Sequence, residues 1–188
     1  MLTQVSYIRS TCRLCNSHSL EKVLRMPSSQ PVDNFRPHGH KYLSLPRFNM
    51  DLHKCNDCGH LQLTTIVNPD ILYGSYIYTS TSSPDLRVHF QEYVCYLENK
   101  LSLANNCRVL DIGCNDGLFL RQFNSGYYDL YGIDPAPNIV TAATDGQYKL
   151  TNAYCNLEGI KALSREHNIY KFDLITANNV FSHADNLS

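Results

Sequence analysis

Between residues 107 and 120 the chain runs Cys-Arg-Val-Leu-Asp-Ile-Gly-Cys-Asn-Asp-Gly-Leu-Phe-Leu, an apolar strand pattern, a glycine turn and a second apolar run. Strand, turn and helix in that order form a crevice in which a cofactor can sit. Gly113 and Gly117 carry no Cβ and admit a close backbone approach to a ligand. Asp111 can set the loop and receive an ammonium group directly or through water. A dinucleotide fingerprint needs further glycines where Asn115 and Leu118 stand, which disfavours NAD. The same residues also suit an ordinary strand-to-helix turn. The next strand pattern, Asp129-Leu-Tyr-Gly-Ile-Asp134, favours a cofactor, because it ends in a carboxylate about twenty residues beyond the turn, where the acid that binds ribose hydroxyls is expected. A carboxylate can accept two hydrogen bonds from a cis-diol. Pro135 follows directly.

A second chemistry is written in the cysteines. Of eight, four fall as Cys12-x-x-Cys15 and Cys55-x-x-Cys58, the spacing of paired zinc knuckles, which predicts one Zn2+ held by four thiolates. Gly59 is expected to make the tight turn that aims backbone amides at sulfur. The alternatives are a redox dithiol, which would not need the second pair, and plain free thiols. His18, His53 and His60 lie close in sequence and are expected outside the ligand set. Cys95, Cys107, Cys114 and Cys155 read as small core residues.

These side chains need elements to hold them. With 188 residues, 43% apolar content and 18% charge, the chain is long enough to bury a core. Its net charge of -1, with no basic block, argues against a nucleic-acid or anionic-membrane partner. No signal-peptide core or membrane-length apolar run is seen, so a cytoplasmic protein is expected. Residues 1–70, broken by Pro27, Pro31, Pro37 and Pro46, read as a small β-rich zinc-binding domain with a long polar loop between its knuckles. Residues 71–105 read as a linker and connecting helix: a tyrosine- and serine-rich stretch, then a helix capped by Ser83, with Pro84 at its first position and an end near Asn105. Residues 106–188 alternate strand and helix, with strands at 108–112, 129–133, 147–151 and 172–177 and helices at 116–123, 137–144 and 157–167. That alternation predicts a doubly wound, Rossmann-like α/β domain with a parallel sheet. A strand at 172–177 with no outer neighbour would be an exposed apolar edge, so a truncated chain or split gene product is expected, with the missing carboxy-terminal half as a further partner.

Taken together, the residues resemble one group, the S-adenosylmethionine (SAM)-dependent C-methyltransferases of nucleotide-activated keto-deoxysugars. Asp111-x-Gly113-x-x-x-Gly117 is similar to the class I methyltransferase turn, and Asn115 stands at the middle glycine as in that family. The knuckles are similar to its amino-terminal zinc domain. Tyr76-x-Tyr78 with its serines is similar to the substrate-side linker, and His89-Phe90 to part of the linking helix. Gly132-Ile-Asp134-Pro135 is similar to the ribose-binding strand. Ala177-Asn178-Asn179-Val-Phe-Ser-His183 is similar to the motif after strand four. The resemblance implies an incomplete class I methyltransferase domain, SAM and Zn2+ as cofactors, and a nucleotide-sugar substrate methylated on carbon through an enolate. It implies that Asp111, Gly113, Asn115, Gly117, Asp134, Pro135, Asn178 and Asn179 bind the cofactor. Asn179, His183, Tyr76 and Tyr78 are the candidates for catalysis. If the chain coils after Asn179, His183 lies one helical turn on and can shuttle protons near neutral pH. Tyr76 and Tyr78 can orient a sugar or simply pack. Two other readings remain: a zinc-ribbon methyltransferase of RNA or another small molecule, and a non-catalytic SAM-binding or interaction fragment.

Overall fold

The computed structural model describes residues 4–31, 46–74, 76–142 and 146–185. Residues 32–45 of the expected loop between the knuckles, with Pro37, lie outside the described residues, as do Ser75 and the last two residues of the helix expected at 137–144. The chain divides into two compact units, residues 1–73 with 183–188 and residues 74–182. Among the described residues no helix is long and apolar enough to cross a membrane.

The first unit is built from short antiparallel strands. β1 (Ser6–Ile8) pairs with β5 (Thr65–Val67), and β2 (Leu20–Leu24), β3 (Leu52–Cys55) and β4 (Leu61–Leu63) form a three-stranded sheet in the order β2-β3-β4. A short helix, α1 (Pro69–Tyr73), follows. Its apolar interior is thin: among the described residues only Cys12, Phe48, Cys55 and Ile66 are buried hydrophobics, while Ile8, Leu14 and Leu61 are more than half exposed. Polar clamps do part of the work of a core. Buried Gln62 accepts from the Arg13 N–H at 2.8 Å and donates to the Thr11 carbonyl at 3.0 Å, fastening the first knuckle to β4. Buried Asp51 accepts from the Lys22 ammonium at 2.9 Å and the Met26 N–H at 3.1 Å, and the Lys22 contact holds its carboxyl below the usual carboxylate range. Asp185 in the same unit accepts from the Tyr7 hydroxyl and from the guanidinium groups of Arg9 and Arg13.

The second unit is a four-stranded, wholly parallel sheet of β6 (Cys107–Ile112), β7 (Tyr128–Asp134), β8 (Lys149–Asn152) and β9 (Leu174–Ala177) in the order β8-β7-β6-β9. The chain starts in the middle, steps outward twice and then returns to the other side of β6. The strand order therefore reverses between β6 and β9, the place where open α/β sheets bind ligands at their carboxyl ends. Side-chain alternation along β6 explains the two layers. Val109 faces a cluster with Phe90, Val94 and Leu97 of α2 (Pro84–Leu101) and with Leu118, Phe119 and Phe123, whereas Leu110 and Ile112 face Tyr131, Ile133 and Leu163 of α4 (Leu157–His167). Each large side chain so buried contributes on the order of 1.5–3 kcal/mol. Ser83 caps α2 as expected, accepting from the Leu86 N–H, and Asn156 caps α4 by accepting from the Gly159 N–H at 2.9 Å.

Three differences from the sequence expectation have local causes. α2 stops at Leu101, short of Asn105, because Ser102 turns left-handed at φ 49. Of the four cysteines expected in the core only Cys114 is buried; Cys95 and Cys155 are exposed and Cys107 is intermediate. The largest difference is the helix expected at 116–123, of which only a 3-10 turn at Leu120–Gln122 forms. Gly117 sits at φ +76, so a right-handed helix cannot run through it. Beyond it the Gln122 and Phe123 N–H groups bond three residues back, to the Phe119 and Leu120 carbonyls. α3 (Pro137–Ala142) completes the described helices of the unit.

Gly117 also has no room for a side chain, since a Cβ there would lie 2.1 Å from the Tyr148 hydroxyl oxygen. Gly146 has a similar φ of +72 but nothing within 4 Å of a built Cβ. Gly117→Ala is therefore expected to lose about 2–5 kcal/mol in urea unfolding, from left-handed backbone strain and overpacking together, and Gly146→Ala only the strain part of about 1 kcal/mol. Equal losses would show that Tyr148 does not fill the space.

Candidate cofactor crevice and metal centre

The two knuckles are built alike. Cys12-Arg-Leu-Cys15 is closed by an Asn16 N–H bond to the Cys12 carbonyl at 3.0 Å, and Cys55-Asn-Asp-Cys58 by a Gly59 N–H bond to the Cys55 carbonyl at 2.9 Å. Both closing residues are left-handed, Gly59 at φ 78 and Asn16 at φ 60. Asparagine tolerates this region better than other residues with a side chain, a signal that was readable in the sequence but lacks the clarity of glycine. The sulfurs of Cys12, Cys15, Cys55 and Cys58 all lie within 4.8 Å of one another, and the Cys12–Cys58 and Cys15–Cys55 sulfur pairs are each 3.6 Å apart. Tetrahedral Zn2+ with bonds of about 2.3 Å spaces its sulfurs about 3.8 Å apart, so the donor set fits zinc closely.

Electrostatics of the quartet point the same way. The Cys58 N–H, aimed at the Cys55 sulfur, is the main influence that brings that thiol down to about 7. At Cys15 the Ser17 N–H acts in the same sense, but the neighbouring sulfur of Cys58, burial and the sulfurs of Cys55 and Cys12 outweigh it and push the thiol up to about 12. Four thiolates this close need a cation between them. His18, His53 and His60 do not join the cluster among the described residues, and the His53 Nδ1 instead lies 3.1 Å from the Asp51 carbonyl.

The second site lies at the carboxyl ends of β6 and β7. Asp111, 3% exposed, accepts from the Thr176 hydroxyl at 2.8 Å and the Asn178 amide at 3.5 Å, both at the end of neighbouring β9. Burial pushes its carboxyl up to about 7, with the Asp134 charge adding and the two hydrogen bonds opposing. The folded value is above that of an exposed carboxyl, so this group's contribution to stability falls as pH rises from about 4 through 7. A buried acid short of a counter-charge suits a cationic ligand group. Asp134 takes the Asn115 N–H on Oδ2 and the Ala136 N–H on Oδ1, each at 2.9 Å. Burial raises its carboxyl despite these two bonds. Each oxygen keeps acceptor capacity for a diol. Pro135 is half-buried directly after it.

The glycines serve the protein before any ligand. A Cβ on Gly113 would meet the Val180 side chain at 2.5 Å, and Gly117 is filled by Tyr148, so both empty spaces are occupied by side chains of the same unit. Their other requirement is conformational: Gly113, Asn115 and Gly117 are all left-handed, at φ 67, 50 and 76.

A strap formed by residues 76–82 is fastened to this turn. The Asn115 side chain accepts from the Ser80 N–H at 2.9 Å and donates to the Tyr78 carbonyl at 3.0 Å; Asp116 accepts from both the N–H and the hydroxyl of Thr81 at 3.0 and 2.6 Å. Tyr76 and Tyr78 meet edge to face with ring centroids 6.4 Å apart. Asp116, Thr176 and Tyr148 were not singled out from the sequence, where a polar residue gives no sign that its partner lies tens of residues away. Asn178 reaches Asp111, as described. Asn179 is exposed and left-handed at φ 56, so the chain does not coil continuously from it; a separate 3-10 turn covers Phe181–His183, and exposed His183 groups with the first unit.

Comparison with known proteins finds a match for each part of the chain. Residues 12–73 match the family described as "Putative zinc binding domain", and residues 110–188 match the family described as "Methyltransferase domain". The first match contains the four clustered cysteines that fit zinc, and the second contains most of the parallel sheet with its crevice. It is similar to the C-methyltransferase NovU of Streptomyces niveus, at 23% identity over 172 residues that cover 92% of this chain and 40% of that protein. Among solved structures it is similar to the plantazolicin methyltransferase BpumL in complex with SAH, at 21% identity and a TM-score of 0.40 over 52% of this chain and 36% of that one. It is also similar to the CurJ carbon methyltransferase, at 17% identity and a TM-score of 0.39 over 55% of this chain and 29% of that one. The chain spans less than half the length of these relatives.

Purified protein is expected to carry one equivalent of zinc, and Cys12→Ser and Cys55→Ser to lower that stoichiometry. With so thin an apolar interior, a strong chelator should unfold the first unit, since structural zinc contributes on the order of 10 kcal/mol in isolated modules. Metal analysis with circular dichroism reads both. Full zinc content in both variants would refute the quartet.

Proposed function

We propose that these residues belong to a SAM-dependent methyltransferase that places a methyl group on carbon, next to the keto group of a nucleotide-linked deoxysugar. The observation that carries the proposal is the pair of buried carboxylates, Asp111 and Asp134, at the ends of adjacent parallel strands beside the sheet's reversal point and flanking a left-handed turn. Asp134 is assigned to the ribose hydroxyls, Asp111 with Asn178 to the amino-acid end of the cofactor, and Gly113, Asn115, Gly117 and Pro135 to the turn and strand end that shape its pocket. The zinc-binding domain and the likeness to a C-methyltransferase support the choice of carbon as acceptor.

Bound SAM supplies an activated methyl group. The chain's residues must then take a proton from the carbon beside the ketone, hold the enolate oxygen and fix the sugar. Asn179, whose exposed amide is both donor and acceptor, is assigned to the enolate oxygen. His183 is assigned to proton transfer, and Tyr76 and Tyr78 to orienting the sugar.

The test is methyl transfer by the full polypeptide that carries these residues, with labelled SAM and a nucleotide-linked keto-deoxysugar, read by mass spectrometry. A base-stable methyl on carbon is expected, and His183→Asn should lower turnover by at least about tenfold while changing SAM affinity little, because a proton-transfer role is realised mainly in the transition state. A base-labile methyl on oxygen, or methylation of RNA in place of the sugar, would contradict the proposal.

A further inference from the structure

We propose that Asn115 is a positioning residue that couples the cofactor's ribose acid to the tyrosine strap. The proposal rests on the reading of Asp134 as that acid. Three hydrogen bonds define the relay. The backbone N–H of Asn115 donates to Asp134 Oδ2 at 2.9 Å, its side-chain oxygen accepts from the Ser80 N–H at 2.9 Å, and its side-chain nitrogen donates to the Tyr78 carbonyl at 3.0 Å. One residue therefore joins the carboxylate at the end of β7 to the strap backbone on both sides of Thr79.

The strap depends on such anchors. Residues 76–79 form neither helix nor strand, so their peptide groups have no ladder to satisfy them. Asn138 donates to the Tyr76 carbonyl at 2.5 Å, and Asp116 holds Thr81. Asn115 holds the stretch between, which carries Tyr78. The identity of residue 115 follows from two demands made together. Its φ of 50 favours glycine or asparagine, and only asparagine offers a donor and an acceptor to bridge two strap residues. A ligand whose hydroxyls settle on Asp134 fixes the carboxylate that fixes the Asn115 backbone, and so stiffens the strap. Coupling between two sites is reciprocal, so an ordered strap favours the ribose site equally.

Hydrogen exchange of the strap amides, read in wild type and Asn115→Gly with and without SAH, tests this. Glycine keeps the left-handed backbone and removes only the side-chain bridge. In wild type, SAH is expected to slow exchange of the Ser80 amide. In Asn115→Gly that amide should exchange at least about tenfold faster than in wild type and lose its response to SAH. Asn115→Asp, which keeps an acceptor for Ser80 but loses the donor to Tyr78, should fall between. Thr81→Val, which removes one anchor outside the relay, should leave the SAH response of Ser80 intact and so separates the relay from general loosening. The same SAH-dependent slowing in Asn115→Gly as in wild type would overturn the coupling. If SAH fails to bind wild type, the ribose reading fails and the coupling with it, while the basal exchange of Ser80 still decides whether Asn115 fastens the strap.

Discussion

Two backbone N–H groups converge on one carboxylate at the end of β7, and the second unit's site depends on that convergence. Asp134 takes the Asn115 N–H on one oxygen and the Ala136 N–H on the other. The first bond sets the left-handed turn after β6; the second sets the exit of β7 toward α3. Neither bond exists in an unfolded chain, and burial of the carboxylate strengthens both by excluding water. The cost is a desolvated charge, visible in the raised proton affinity of Asp134 and, more strongly, of Asp111 one strand away. A stability optimum would not place two such acids side by side. A site that receives a ligand with ribose hydroxyls at one end and a cationic amino group at the other has reason to keep them.

The two units solve the folding problem by different means. The second buries apolar side chains on both faces of its sheet, and its aromatic cluster of Phe90, Phe119, Phe123 and Tyr128 packs edge to face at 5.2 to 5.5 Å. Among the described residues the first has no comparable interior. Its most buried apolar residues include two of the four cysteines, so the residues that form its centre are the residues that hold its metal. Loss of zinc there and loss of a core leucine in the second unit are equivalent kinds of damage.

Much of this architecture was legible in the sequence because it rests on local signals. The knuckle spacing, the Ser83 cap followed by Pro84, the helix at 157–167 and the strands around 108–112 and 129–133 each announce themselves within a few residues. What escaped was set by distant partners. The helix expected at 116–123 was broken by a left-handed glycine whose missing side chain makes way for Tyr148, thirty-one positions away in the numbering. A Cβ on Gly113 would likewise meet the side chain of Val180, sixty-seven positions away in the numbering. Asn115 could be read as a departure from a glycine pattern, but its bonds to Tyr78 and Ser80 appear only once the strap lies against the turn. Left-handed asparagines recur at 16, 106, 115, 168 and 179, among them the residue that closes a knuckle, the one in the turn after β6 and the one that ends α4, a regularity that single residues do not advertise.

The central claim is that the carboxylate of Asp134 both organises the turn and receives ribose hydroxyls. Calorimetric titration of SAH and of its 2′,3′-dideoxy analogue into wild type and Asp134→Ala separates the two roles, because turn disruption weakens both ligands while ribose recognition weakens only one. Hydrogen bonds to a charged group are worth about 1.5–3 kcal/mol, so wild type should bind SAH at least about tenfold more tightly than the dideoxy analogue, and the difference should vanish in Asp134→Ala. Equal affinity of wild type for the two ligands would contradict the account.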